Sequence, residues 1–180
     1  MSLQLITAQT DWAVELPEVK KHLREDGTAN DAYIQELIYS VQDQLKWEYD
    51  LYLNAETYDL LLDSFPKVIE IWAWPIASIS SVKYTDGDGD TQEVSSDDYT
   101  TDLFSKPARI KHVNGWPTPG LCLNAVQVRF VTGFTSPAVI PADIIQAIYL
   151  IINDRWDNRE DAGRRFPRIS ERILTKYKYR

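Results

Sequence analysis

Cysteine and histidine are nearly missing: in 180 residues there is one cysteine, Cys122, and two histidines, His22 and His112. A single thiol forbids an intramolecular disulfide, and one thiol with two imidazoles cannot supply the four ligands of a structural zinc site. Glycine is also scarce, at seven residues. Gly87 and Gly89 lie between strand-like segments and no Gly-Lys-Ser/Thr follows them, which excludes a phosphate-cradling loop ahead of a helix. There is no Gly-x-Ser-x-Gly elbow, and neither histidine sits in a recognisable catalytic motif. His22 reads as a helix-surface residue and His112 as a strand residue. Long apolar runs are lacking as well. The longest, Ile144 to Ile152, is broken by Gln146 and falls far short of the roughly 20 residues that span a bilayer. Met1 to Thr10 lacks the charged-then-apolar order of a signal peptide. No cofactor, metal site or membrane segment is expected.

What is present is the composition of a soluble globular chain, with 44% hydrophobic and 26% charged residues. Net charge is −8 but unevenly placed: residues 1 to 150 carry 10 basic and 22 acidic side chains, residues 151 to 180 carry 9 and 5. The difference is −12 for the body and +4 for the terminal stretch. An acidic body repels phosphate backbones, whereas a basic segment seeks an acidic protein surface or a nucleic acid.

The periodicities change along the chain. A short amphipathic helix is expected from Pro17 to Arg24, opened by the proline and with acidic Glu18 near its positive end. Asn30 is placed to cap a longer one in which Ile34, Leu37, Ile38, Val41 and Leu45 recur at helical spacing. From Val68 to Val131 the pattern becomes period two, punctuated by Gly, Pro and Asp. It gives candidate strands at Val68 to Trp72, Ile79 to Thr85, Thr91 to Val94, Arg109 to Val113 and Ala125 to Val131. In the last of these Val126, Val128 and Phe130 share one face and Gln127 and Arg129 the other. Pro141 opens a third helix so apolar that it is either the centre of the domain or is packed against another subunit on one face. Asn158 to Gly163 reads as a loop, and Ile169, Ile173 and Tyr177 mark a short terminal helix. The fold class is α+β: a small helical bundle from both chain ends (12 to 65 and 141 to 177) with an antiparallel β insertion at about 66 to 135, in one domain.

Asp86, Gly87, Asp88, Gly89 and Asp90 alternate carboxylates as calcium loops do. However, Thr91 and Asp97 stand where an EF-hand wants glycine and glutamate, and a hairpin turn is the expected role. Paired carboxylates such as Asp98 and Asp102 leave a carboxylate-based hydrolase as the enzymatic alternative. Trp72, Trp74 and Trp116 are expected mainly to fill the core, with interface contact as the other use of large rings. Arg164, Arg165, Arg168, Arg172, Lys176 and Lys178 share one broad helical face, suited to pairing with carboxylates on a partner.

The order of motifs resembles a known family. Leu16-Pro17-Glu18-Val19-Lys20-Lys21-His22-Leu23-Arg24 precedes the Asp31-to-Trp47 helix, and Trp74-Pro75-Ile76 leads into Ile79-Ser80-Ser81-Val82-Lys83-Tyr84-Thr85-Asp86-Gly87-Asp88-Gly89. Tyr99, Gly115-Trp116-Pro117, Val126 to Phe134, Ile140-Pro141-Ala142-Asp143-Ile144 and Asn158-Arg159-Glu160 follow. From about residue 12 to 177 the chain resembles the longer members of the bacteriophage head-tail connector (adaptor) family. The resemblance implies a virion structural protein, not an enzyme. It would form a ring, usually of twelve subunits, that docks under the portal after DNA packaging, helps retain the genome and joins tail or head-completion proteins. DNA would pass through without sequence-specific binding, and the ring would be assembled in the host bacterial cytoplasm and end at the head-tail interface of the virion. Another phage joining protein, such as a tail-completion factor, is the alternative. With the charge switch, this points to Trp156, Arg159, Arg164, Arg165, Arg168 and Arg172 as contacts to the portal or to a neighbouring subunit.

Overall fold

The computed structural model describes residues 2–159 and 165–178. Two compact units share the chain. One is formed by residues up to Thr10 together with Asn54–Thr135, the other by Asp11–Leu53 together with Ser136 onward. The first holds all the strands and the second all the α-helices, so the α+β class holds, with a β unit between helices drawn from both ends of the chain.

In the β unit, β1 (Ser2–Thr7), β2 (Glu56–Leu62), β4 (Ile76–Thr85), β5 (Thr91–Val94) and β8 (Val126–Thr132) form a five-stranded sheet of order β1-β2-β8-β4-β5. The strands β3 (Ile69–Ile71), β6 (Tyr99–Asp102) and β7 (Ala108–His112) form a second sheet of order β3-β7-β6. Every pairing is antiparallel. Val126, Val128 and Phe130 of β8 are buried and Gln127 and Arg129 partly open, the alternation expected of a sheet with one covered face. Rings link the two sheets. Phe65 stacks on Trp116 at 4.6 Å and meets Tyr84 of β4 edge-on, while Trp116 also meets Tyr99 of β6 and His112 of β7.

The β unit begins earlier than expected, at Asn54 rather than about 66, and it includes the N-terminal strand. The reason lies in β2. Its second row, on the face away from Tyr58 and Leu60, is Thr57, buried Asp59 and Leu61, so a carboxylate and a leucine occupy equivalent positions and the period-two signal is lost; Asp59 is tolerated there because Arg129 lies directly across in register. Gly133, just past β8, has φ +89°, and a β-carbon there would fall 2.0 Å from the Asn54 carbonyl oxygen, so only glycine fits this close approach.

The helical unit comprises α1 (Leu16–Leu23), α2 (Asp31–Tyr49), α3 (Ala142–Asp157) and α4 (Arg168–Leu174). α3 is its centre, packed by all three others, and Ile144, Ala147, Ile148, Ile151 and Ile152 are buried. α2 buries Ile34, Leu37, Ile38, Val41 and Leu45 against it. Gln42, also buried, accepts from the Ala13 N–H at 3.0 Å and donates to the Ile38 carbonyl, which ties the segment before α1 to α2. Asn30 occupies the N-cap position of α2 without using its side chain to cap. Its amide donates to Glu25 instead, and its backbone carbonyl receives the Ile34 N–H.

Candidate protein interface

Within the helical unit, the described residues that the charge switch singles out lie on or next to the C-terminal turn of α3 and α4. The α3 helix places Trp156 on the side that meets α2, and its ring lies 5.9 Å from that of Tyr33. Arg159, just beyond the helix end, covers both rings, with its guanidinium carbon 4.2 Å from the Trp156 centroid and 4.8 Å from that of Tyr33. A planar cation on aromatic faces keeps its N–H edges free for an acceptor while the rings fix its position. Arg155, one turn earlier, is used differently. It donates to Ser40 at 2.9 Å and to Gln44, and lies near the Phe166 ring, and its half-buried site pulls its pKa down. Arg155 is thus a strut between α3 and α2 and Arg159 an outward group.

The α4 helix is held on α3 from its inner side. Leu174 and Ser170 are buried, and the Ser170 hydroxyl donates to the Ala147 carbonyl. At its far end the Tyr177 hydroxyl donates to Asp143 at 2.7 Å and Lys176 reaches the same carboxylate at 3.2 Å. These bonds hold the Asp143 carboxyl below its ordinary range. Burial first, and then the bond to Asp143, push the Tyr177 phenol up to about 12. With that side fixed, Arg165, Arg168 and Arg172 are exposed together with Ile169, which is 66% exposed. None of the three arginines makes an ion pair with a carboxylate of the described residues. A row of arginines around a bare isoleucine is chemically suited to a partner surface of carboxylates set about an apolar spot.

The structure therefore brings Trp156 and Arg159 together and leaves Arg165, Arg168 and Arg172 each exposed on or just before α4. Arg164 lies outside the described residues. Sequence reasoning missed Tyr33, Arg155 and Ile169 of this region. Tyr33 shares no local pattern with Trp156, and Ile169 counts in the sequence only as a marker of the terminal helix.

Other motifs resolve locally. The Asp86 carboxylate is turned onto its own loop, accepting from the Asp88 and Asp90 N–H groups at 3.0 Å and from Gln92, in a turn where Gly89 takes φ +91°. Asp102 accepts from Phe104, Ser105 and Arg109, which hold its carboxyl far below the usual range. His22 stacks on Tyr149, and the His112 ring nitrogen receives the Asn114 N–H. Trp72 departs from the expected core role: it is exposed, while Trp74 is covered by Lys106 and Phe134 and Trp116 by Phe65.

No protein-family model matches the chain, and no curated protein matches it in sequence. Solved structures do. A chain in the virion of a native gene transfer agent particle is 20% identical and superposes with TM-score 0.84, covering 100% of this chain and 96% of that one. Chains in the neck of the empty particle, computed with C6 symmetry, and in the neck of the native particle, computed with C12 symmetry, are each 19% identical with the same coverage, at TM-scores 0.83 and 0.76. At these identities the likeness establishes a shared fold over the full length.

Proposed function

We propose that this protein is a structural subunit of a phage-type neck: a head-tail connector that forms a ring beneath the portal, helps retain packaged DNA and offers a platform for tail or head-completion proteins. The observation that carries this reading is the end-to-end match of its fold to chains of particle necks computed with C6 and C12 symmetry. Three physical features agree with it. The acidic body, −12 over residues 1 to 150, lets DNA pass without adhering. The arginines at positions 165, 168 and 172 with exposed Ile169 suit an acidic, partly apolar protein surface, assigned here to the portal or the neighbouring subunit. Arg159, seated on the Tyr33 and Trp156 rings, offers a further guanidinium to an acceptor on a partner. No catalytic step is part of this role.

Native mass spectrometry over a range of concentrations, with and without the cognate portal and with negative-stain images of the largest species, tests it. The expected product is a closed ring of about twelve copies, alone or on the portal. A monomer under all conditions, with no portal binding, overturns the reading. For the interface, the triple reversal Arg165→Glu, Arg168→Glu, Arg172→Glu is expected to leave the circular dichroism unchanged and to weaken portal or neighbour association by more than about tenfold. Assembly unchanged by the reversal removes the basic face from the contact.

A further inference from the structure

Resting on that reading, in which copies stand side by side in a ring, we infer that the open edge of β1 is a docking site for a second copy of this chain. β1 terminates the five-stranded sheet, so the N–H and C=O groups that point away from β2 have no strand among the described residues to pair with. All six of its residues are exposed, Leu3 and Leu5 at 44% and 48%. Soluble proteins blunt such an edge with lysine, proline or inward charge. Ser2-Leu3-Gln4-Leu5-Ile6-Thr7 has none of these, and its one irregularity falls after Leu5, which leaves Ser2 to Leu5 in unbroken register with Leu61 to Tyr58.

The register shows what is left unfinished. Leu3 stands opposite Leu60, which stands opposite Val128; Leu5 stands opposite Tyr58, which stands opposite Phe130. Leu60, Val128, Tyr58 and Phe130 are buried. The two leucines thus continue the covered face of the sheet to its rim, where the cover stops. One more strand laid along β1 would extend both rows and satisfy the open backbone groups, as strand addition does elsewhere.

Charge identifies the occupant as another copy. Two chains of net charge −8 repel, and a contact through an uncharged edge adds no acid to that repulsion; β1 is a run of six residues without a charged side chain. The opposite edge of the sheet, β5, has one acidic residue, Glu93, already matched by Lys83 of β4 at 3.4 Å. Because four antiparallel pairings lead from one edge to the other, β1 and β5 run in the same direction. Head-to-tail repetition therefore sets the β5 edge of one copy along the β1 edge of the next, a heterologous contact that a ring can close, whereas β1 on β1 would close at two.

Amide hydrogen exchange on the unaltered protein tests the contact, in the free monomer and in the assembled species, whether it forms alone or on the portal. Exchange at residues 3–7 is expected to slow at least tenfold on assembly. The double variant Leu3→Lys, Leu5→Lys, at positions already half open to solvent, is expected to keep the monomer's melting curve and to raise the concentration needed for assembly at least tenfold. Rings that form with β1 exchanging as in the monomer overturn this docking and leave the ring reading standing. Protection at β1 in a species no larger than a dimer supports the edge contact and overturns the ring, and no assembly of any kind overturns both.

Discussion

Burying an ionised carboxylate costs several kcal/mol unless its oxygens are met. The Asp59 side chain, 1% exposed, is met three times: by Arg129 Nε and Nη2 at 2.8 Å each and by Gln127 Nε2 at 2.5 Å. The hydrogen bonds from Arg129, helped by the one from Gln127, outweigh burial and hold its pKa below the ordinary carboxylate value. A depressed folded pKa means that the pair stabilises the protein above the unfolded value near 4 and that this contribution is lost as pH falls below it, through the folded value. Two outcomes follow for urea unfolding. Removing the partner, Arg129→Ala, leaves a buried carboxylate with one amide and is expected to cost about 2–4 kcal/mol, a figure reduced because Arg129 is itself 41% exposed. Asp59→Asn is expected to cost less, about 1–3 kcal/mol at neutral pH, and to flatten the acid side of the stability profile. An acid limb as steep in Asp59→Asn as in the parent would assign acid sensitivity to other carboxylates.

The attachment of α4 is the counterpart at the level of an element. A seven-residue helix cannot sustain itself in water and depends on the surface that receives it. Here that surface offers the Ala147 carbonyl to Ser170 and the Asp143 carboxylate to Tyr177 and Lys176. Tyr177→Phe removes one hydroxyl from a charged acceptor, and a loss of about 1–2 kcal/mol in the local stability of α4 is expected, read as faster amide exchange in Arg168–Leu174 with global unfolding little changed. Ultraviolet titration of the parent should show one phenol ionising near 12, absent from the variant. The raised pKa means that its contribution is intact below about pH 10 and declines as pH climbs towards that value. The four helices and the strands β3, β4, β5, β7 and β8 were legible to within a few positions, the helices, β3, β7 and β8 from a repeating buried face and β4 and β5 from the Asp-Gly turn that joins them. Three strands were not. β2 hides a buried Asp59 whose partner is 70 residues away, β1 shows six exposed residues and so no inside-outside contrast, and β6 is Tyr-Thr-Thr-Asp, too short to show a period. The arginines of the candidate interface were picked out by charge alone, and the structure shows Arg165, Arg168 and Arg172 exposed, whereas the place of Tyr33 under Arg159 needed two helices to meet.

For the assembled molecule, electrostatics sorts the two proposed contacts by opposite response to salt. Copies that carry −8 each repel, and screening shortens the reach of that repulsion from about 30 Å at 0.01 M to about 8 Å at 0.15 M. A contact through the uncharged β1 edge contains no ion pair to lose, so association between copies is expected to strengthen as salt rises over that range. A contact through Arg165, Arg168 and Arg172 works by attraction and is expected to weaken over the same range, with the larger effect on the association rate. Sedimentation velocity of the protein alone and surface-immobilised portal binding, each at 0.01, 0.05 and 0.15 M salt, measure the two responses separately. Opposite slopes assign copy-to-copy contact to the neutral edge and portal contact to the arginines. If association between copies also weakens with salt, ion pairs join the subunits and the basic face belongs to the ring's own seam.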